Sequence, residues 1–210
     1  MPQTNNISNK LALGTANLAM RYGLKNKKNY FTNKSIGQIL KRFKKSKIFY
    51  IDTAQAYGDS EQRLGAVQKS RFKIITKIGI GLGDNYHDNR ICKLVDESLD
   101  RLNLKHLYAV MLHRPEVLLS ANGSKMISEL ITLREKGLIK KIGVSIYSPE
   151  ILGEILKLTD LDIVQAPFNI FDQRILSSGW ASRLRENNIE IHTRSVFLQG
   201  LILLQQRNLH

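Results

Sequence analysis

Four side chains able to take part in proton transfer follow successive apolar segments of the 210-residue chain. Asp52 ends the segment IFYID, and Tyr57 follows five positions later. Lys77 comes directly after FKIIT, and His113 comes directly after LYAVML. Taken singly, each residue has a structural explanation, such as a turn, a solvated strand end or a packed ring. Together, at corresponding positions, they predict one site for acid and base chemistry.

Such a site suits a carbonyl oxygen that becomes an alkoxide and needs a proton. Tyrosine is a weak acid at neutral pH, but an ammonium favours the phenolate, so Lys77 would lower the pKa of Tyr57 toward the working range. Asp52 would hold the ammonium and offset the cost of burying it. His113 would hydrogen-bond a substrate oxygen and fix it within reach of the Tyr57 hydroxyl.

Short apolar segments alternate with amphipathic ones along the whole chain. The predicted strands begin at Leu11, Ile48, Phe72, Leu107, Lys141, Asp162 and Glu190. Between them, hydrophobic residues recur at helical spacing, and residues 36, 39, 40 and 43 are one example. Because no linker or composition break divides this pattern, we expect one domain over residues 1–210, with residues 1–10 as a flexible N-terminus.

Three residues predict where helices begin or end. Ser35 and Ser124 precede amphipathic stretches and are expected to be N-caps, because a serine oxygen accepts from free amides of the first turn. Gly137 follows LREK and is expected to end a helix.

Near-continuous apolar strands separated by helices predict an α/β fold with a parallel sheet, either a barrel or a doubly wound sheet. Polar residues favour the barrel because six of them lie at or near the ends of six different strands. These residues are Asp52, Lys77, His113, Ser145, Gln165 and Arg194. In a parallel (β/α) TIM-type barrel those ends converge on one rim, where barrel enzymes place their chemistry. Such barrels need about 250 residues, so we expect an incomplete barrel of about seven units with the eighth β/α unit missing.

The charge is strongly positive, at +14 with a pI near 9.9. Its densest cluster, KRFKKSK at residues 41–47, lies where a helix is expected to end, so it also suits the helix dipole and a solvated face. Since no nucleic-acid motif accompanies it, no specific nucleic-acid partner is predicted.

Several other classes of site receive no support. Cys92 is the only cysteine, which excludes an intrachain disulfide. His87, His106 and His192 have no ligand-spaced neighbours, so no metal site is predicted. No apolar run is long enough to span a bilayer, and the segment MPQTNNISNK lacks the hydrophobic core that a signal sequence is expected to have. We therefore expect a cytoplasmic protein without a membrane segment.

Seven segments together resemble those of aldo-keto reductases, in an order that covers the chain from about Leu11 to Leu204. They are LALGTA, IDTAQAYGDSEQRLG, ITK, MLHRPE, IGVS, VQAPFN and RSVFLQGL. The combination is specific, whereas its shorter pieces carry no meaning alone. The resemblance implies a TIM-type barrel that reduces a small aldehyde, ketone or sugar-like carbonyl with NADP(H), or with NAD(H).

The resemblance also implies roles for individual residues. Tyr57 matches the general acid, Lys77 and Asp52 its supporting pair, and His113 the histidine that orients the substrate. Eight residues match cofactor-binding positions, namely Gly14, Thr15, Ala16, Asp52, Ser145, Gln165, Arg194 and Ser195. One departure stands out: Ile146 follows Ser145 where many relatives have an asparagine, so one contact to the nicotinamide is expected to be absent.

The sequence leaves three functions open. The first is the reductase, which the intact set of four favours. The second is a non-catalytic binding or regulatory module, or a truncated remnant, which the short length favours. The third is a basic nucleic-acid-binding domain, which rests on charge alone. The identity of the carbonyl, the choice between the two cofactors and the oligomeric state are not fixed by the sequence.

Overall fold

The computed structural model describes residues 10–20, 31–67, 72–82 and 86–203. Within these ranges the strands are β1 (Ala12–Gly14), β2 (Tyr50–Asp52), β3 (Lys73–Ile78), β4 (Leu107–Leu112), β5 (Ile139–Ser145), β6 (Ile163–Pro167) and β7 (Glu190–Arg194). The α-helices are α1 (Ala16–Ala19), α2 (Asn33–Lys45), α3 (Ser60–Val67), α4 (Arg90–Leu102), α5 (Gly123–Glu135), α6 (Leu152–Leu158), α7 (Arg174–Ser177) and α8 (Trp180–Glu186). Short 3₁₀ helices cover Pro115–Leu119, Pro149–Ile151 and Leu198–Leu203. Except for Lys10, the predicted flexible N-terminus lies outside the described residues.

All seven strands belong to one parallel sheet, and each strand pairs with its neighbours in the sequence from β1 to β7. A doubly wound sheet would reverse its strand order at a switch point, and this sheet does not. The architecture is therefore an incomplete (β/α) barrel of seven strands, as predicted. The described strands leave β1 and β7 as the two edges of the sheet.

Side chains alternate between the two faces of each strand, and β3 shows where each face lies. Ile74 and Ile78 are buried in the larger core that the sheet forms with the helices. Ile75 instead packs in a smaller cluster on the opposite, inner face, with three residues of neighbouring strands: Ala109, Met111 and Ile163. Lys77, two residues beyond Ile75, therefore reaches the inner face at the carboxyl end of its strand.

The helix ends correct two of the sequence predictions. Thr32, rather than Ser35, caps α2, and its hydroxyl accepts a hydrogen bond from the Ser35 amide at 3.2 Å. Asn122, rather than Ser124, occupies the position before α5. Gly137 does follow the end of α5, with a left-handed φ of 72° that glycine adopts at little cost. Propensity thus located both helices but misplaced their caps, by three residues in α2 and by two in α5.

Helix α3, which begins just after the Tyr57 turn, is fixed by a buried carboxylate. Glu61 is 1% exposed and accepts hydrogen bonds from the Thr76 hydroxyl at 2.6 Å and from Arg101 Nε at 2.7 Å. Gly65 permits close approach to α4, because an added Cβ would lie 2.2 Å from the Arg101 carbonyl oxygen. These contacts hold the turn that carries Tyr57 against β3.

None of the helices formed by the described residues is long and apolar enough to cross a bilayer.

Candidate active site

Lys77 lies on the inner face near the carboxyl end of β3, and it is only 1% exposed. Its Nζ donates to Asp52 Oδ1 at 2.6 Å and to the Thr53 carbonyl oxygen at 3.1 Å. Burial lowers the pKa of Lys77, and the charge and hydrogen bond of Asp52 oppose that shift. The ammonium therefore depends on Asp52 to remain charged.

Asp52 connects four strands through its carboxylate and its backbone. Its second oxygen, Oδ2, accepts a hydrogen bond from Gln165 Nε2 at 2.7 Å, across 113 positions of sequence. The Gln165 amide oxygen accepts from Ser145 Oγ at 3.3 Å. On the other side, the Thr15 amide and hydroxyl both donate to the Asp52 carbonyl oxygen, at 3.0 and 3.1 Å. Ser145, Gln165, Asp52 and Lys77 thus form a continuous chain of hydrogen bonds across the inner face.

Tyr57 lies in the turn that follows β2, where its amide donates to the Ala54 carbonyl oxygen at 3.0 Å. Gly58 has a left-handed φ of 56°, a backbone conformation that glycine adopts without steric cost and that returns the chain toward α3. The half-buried Tyr57 ring faces Lys77, whose Nζ is 5.2 Å from the ring centroid. The structure therefore places the Tyr57 ring beside the Lys77 ammonium.

His113 follows β4 directly, and its amide donates to the Ile78 carbonyl oxygen at 2.9 Å. Its ring meets the Tyr57 ring edge to face, with centroids 6.2 Å apart and planes at 85°. Burial lowers the pKa of His113, and the positive charges of Lys77 and Arg194 lower it further. A neutral imidazole carries one N–H donor, which suits a hydrogen bond to a carbonyl oxygen.

This shift predicts a pH dependence of stability. The folded chain holds His113 neutral below its ordinary pKa of 6.5, whereas the unfolded chain binds the proton near that value. Between the two values the unfolded state carries more protons, so the free energy of unfolding falls as the pH drops below about 6.5. We expect His113→Asn to weaken this dependence in urea unfolding followed by circular dichroism at pH 7.5 and pH 5.5.

The exposed His106 provides a matched control, because His106→Asn removes a histidine without touching the site. It should leave the pH dependence of the parent in place. If His113→Asn and the parent lost the same free energy of unfolding between the two pH values, the neutral state of His113 in the folded chain would be contradicted.

Three predicted cofactor residues lie beside Asp52 at the first edge of the sheet. Gly14 ends β1 opposite Asp52 in the register, Thr15 is fully buried, and Ala16 begins α1. An added Cβ at Gly14 would meet no atom within 4 Å, so the surface beside it is open. Thr15 is therefore the member of this group that is tied directly to the site.

Two more predicted cofactor residues, Arg194 and Ser195, lie at the end of β7 on the opposite edge of the sheet. Arg194 Nη2 donates to the Ile146 carbonyl oxygen at 3.1 Å, which links β7 to the loop after β5. Ser195 has a left-handed φ of 60°, an uncommon conformation for serine that turns the chain away from the strand. Seven of the eight predicted cofactor residues thus lie at or just beyond the carboxyl ends of their strands, and Gln165 lies two residues before the end of β6. Ser145 and Gln165 lie between the groups at the two edges of the sheet.

Two contributors to the site were missed by sequence reasoning. The carbonyl oxygen of Thr53 is the second hydrogen-bond acceptor of Lys77, and a backbone acceptor has no sequence signature. Asn169 accepts from the amides of Phe171 and Asp172 at 2.9 and 3.0 Å and donates to the Ser195 carbonyl oxygen at 3.4 Å. An asparagine at a strand end often stabilises such a turn, so the segment VQAPFN did contain a signal for it.

Over the described ranges, His, Cys, Asp and Glu side chains form no group of three that could hold a metal ion. His192 has a different contact, since its Nε2 lies 3.1 Å from Glu190 Oε2.

Comparison with known proteins adds sequence relatives to this geometry. The model of the aldo/keto reductase family matches residues 10–209. The oxidoreductase YqkF of Bacillus subtilis (strain 168) is 29% identical over 167 residues, which cover 74% of this chain and 53% of that protein. The NADH-specific methylglyoxal reductase of Escherichia coli (strain K12) is 25% identical over 169 residues, which cover 80% of this chain and 48% of that protein. The chain thus spans about half the length of these two relatives.

Solved structures show the same fold at lower sequence identity. The aldo-keto reductase AKR11C1 from Bacillus halodurans, in its holo form, superposes with a TM-score of 0.73 at 22% identity. The match covers 96% of this chain and 66% of that one. Nearly all of the chain therefore follows the path of a larger barrel.

Proposed function

The chain belongs to the aldo/keto reductase family, and from this premise we propose that it reduces an aldehyde, ketone or sugar-like carbonyl with a nicotinamide dinucleotide. The observation that carries the proposal is the buried Lys77 ammonium, held by Asp52 and facing the ring of Tyr57. A fully buried lysine is costly to the fold. A buried lysine beside a phenol and an imidazole is typical of a functional site rather than of a structural ion pair.

The polar groups of the inner face fit a nicotinamide carboxamide. Ser145 and Gln165 are 2% and 4% exposed, and together they offer a hydroxyl and an amide oxygen. Their mutual hydrogen bond, at 3.3 Å, is long for a hydroxyl donor, so both groups are able to accept a better partner. Ile146 does not add a polar group to this set, because it is buried in the larger core between the sheet and the helices. This supports a carboxamide site formed by two polar side chains, Ser145 and Gln165.

Eight residues are proposed to hold the cofactor: Gly14, Thr15, Ala16, Asp52, Ser145, Gln165, Arg194 and Ser195. When bound, the cofactor supplies the hydride, which no side chain can donate. NADP(H) is the proposed form. NAD(H) is the alternative, because the E. coli relative is named as NADH-specific.

The side chains of the chain itself perform the proton transfer. The neutral His113 imidazole donates a hydrogen bond to the substrate carbonyl oxygen and fixes it beside Tyr57. The Tyr57 hydroxyl gives its proton to that oxygen as negative charge develops there. The Lys77 ammonium stabilises the phenolate that remains, and Asp52 keeps the ammonium charged and in place.

The proposal is tested with the purified chain. Fluorescence titration with NADPH and NADH is expected to show saturable binding, and at least one member of an aldehyde and ketone panel should drive oxidation of the reduced cofactor. Cofactor binding without turnover across the panel would favour the non-catalytic module. No binding of either cofactor at millimolar concentration would overturn the reductase and favour a remnant barrel.

A further inference from the structure

Tyr57 is shared by two consecutive hydrogen-bonded turns between β2 and α3. In the first turn the Tyr57 amide donates to the Ala54 carbonyl oxygen at 3.0 Å, and in the second the Ser60 amide donates to the Tyr57 carbonyl oxygen at 3.1 Å. A functional residue in a connecting segment takes its position from the scaffold that holds the segment. The place of the Tyr57 hydroxyl therefore depends on the contacts of the residues before and after it.

Gln55, two residues before Tyr57, attaches the first turn to β3 and to α4. Its backbone amide donates to the Lys77 carbonyl oxygen at 3.0 Å. Its side-chain Nε2 donates to the Leu94 carbonyl oxygen at 2.7 Å and to Ser98 Oγ at 2.9 Å. Leu94 and Ser98 are four positions apart, so both acceptors lie on one face of α4. Each N–H of the Gln55 side chain thus has a partner on that helix.

Ser98 also connects Gln55 to the other end of the Tyr57 turn. Ser98 is fully buried, and its hydroxyl accepts from Gln55 while it donates to Glu61 Oε2 at 3.4 Å. The same Glu61 oxygen accepts from Arg101 Nε, also on α4, at 2.7 Å. Helix α4 therefore holds the chain on both sides of Tyr57, through Gln55 before it and through Glu61 after it.

The Gln55 amide reaches the outer side of the sheet, because Ile91 and Val95 of α4 belong to the larger core there. Gln55 is not one of the proposed catalytic or cofactor residues. We infer that Gln55 is a positioning residue, whose hydrogen bonds to α4 hold the turn so that the Tyr57 ring stays beside the Lys77 ammonium. The inference rests on the proposed reductase function, in which Tyr57 donates the proton.

Gln55→Met removes both side-chain hydrogen bonds and keeps the length of the side chain. We expect kcat, for a carbonyl that the parent turns over, to fall by about 10- to 100-fold, because a displacement of about 1 Å near a reacting group can cost that much. KM and cofactor affinity should stay within about twofold of the parent, since no binding residue is altered. The solvent isotope effect on kcat should rise, because proton transfer becomes slower relative to the other steps.

The double variant Tyr57→Phe with Gln55→Met shows whether the effect passes through Tyr57. A residue that acts by positioning the Tyr57 hydroxyl has no further effect once that hydroxyl is absent, so the double variant should turn over as slowly as Tyr57→Phe alone. A general loss of folded protein would instead lower kcat in both backgrounds and leave the isotope effect unchanged. That result, or equal kcat in the parent and Gln55→Met, would overturn the inference.

Gln62→Met is the matched control, because it makes the same substitution at an exposed position of α3, close to the turn. Its kcat and its solvent isotope effect should equal those of the parent. Gln55→Glu keeps the shape of the Gln55 side chain but replaces the donor by a carboxylate, so it should lose kcat as well. If Gln62→Met loses as much activity as Gln55→Met, the contact with α4 is not the cause and the inference is wrong.

Hydrogen exchange followed by mass spectrometry distinguishes a failure of the inference from a failure of the proposed function. The amides of Tyr57 and Ser60 close the two turns, so they should exchange faster in Gln55→Met than in the parent, and at the parent rate in Gln62→Met. If the parent turns over no carbonyl, the proposed function fails, but faster exchange in Gln55→Met still supports the anchoring of the turn. Equal exchange in Gln55→Met and the parent overturns it.

Discussion

Tyr57→Phe is expected to lower kcat by about 10²- to 10⁴-fold, because it deletes the hydroxyl that we propose protonates the developing alkoxide and leaves the ring in place. Cofactor affinity should change little, since none of the eight proposed cofactor residues is altered. The measurement is steady-state oxidation of the reduced cofactor with a carbonyl that the parent turns over, beside a fluorescence titration of cofactor binding.

Tyr50→Phe gives the control on β2, the strand that precedes the Tyr57 turn. The Tyr50 hydroxyl lies at the opposite end of β2, where it accepts a hydrogen bond from Lys73 Nζ at 2.9 Å. Loss of that hydroxyl should leave kcat close to the parent value. A Tyr57→Phe protein that turns over as fast as the parent would remove Tyr57 from the role of proton donor.

Lys77→Met is expected to cost about 3 kcal/mol of unfolding free energy, because it leaves the Asp52 carboxylate without its charged partner in a largely buried position. Lys77 is 1% exposed and Asp52 16% exposed, so solvent cannot readily replace the lost contact. Urea unfolding followed by circular dichroism measures the loss. Turnover should fall as well, since no ammonium remains to stabilise the Tyr57 phenolate.

The double variant Lys77→Met with Asp52→Asn tests the reason for that cost. Removing both charges should restore part of the stability, so the double variant should lose less than the sum of the two single variants. The exposed pair of Lys157 and Glu154 supplies a contrast, because Lys157→Met should cost less than about 1 kcal/mol. Strictly additive losses at Lys77 and Asp52 would show that the two residues stabilise the fold independently.

The strands of this fold are readable from the sequence because a parallel sheet covered on both faces needs nearly continuous apolar runs. The run that begins at Leu107 gives β4 (Leu107–Leu112) with both of its predicted ends. The strand predicted from Ile48 begins two residues later, at Tyr50, since the pairing of β2 with its neighbours covers only three residues. Apolar content thus predicts a strand, whereas pairing fixes its length.

The sequence predicts which residues belong to the candidate site, but it does not predict which hydrogen bonds join them. Strand ends place Asp52 and Gln165 on one rim in any barrel of this type. Their hydrogen bond depends on which rotamers point inward, and the intervening 113 positions carry no signal for that choice. The same limit explains why the Thr53 carbonyl oxygen was missed, because every residue has a carbonyl group and its direction follows from tertiary structure.

The chain of hydrogen bonds from Ser145 to Lys77 couples the two parts of the proposed reaction, cofactor binding and proton transfer. The Gln165 amide, which is proposed to bind the nicotinamide, also holds the Asp52 carboxylate on which the Lys77 ammonium depends. A substitution at Gln165 is therefore expected to lower both the rate of proton transfer and the affinity for the dinucleotide. A redesign of the cofactor-binding residues for another cofactor therefore also has to preserve the contact between Asp52 and Lys77 on which the proposed acidity of Tyr57 depends.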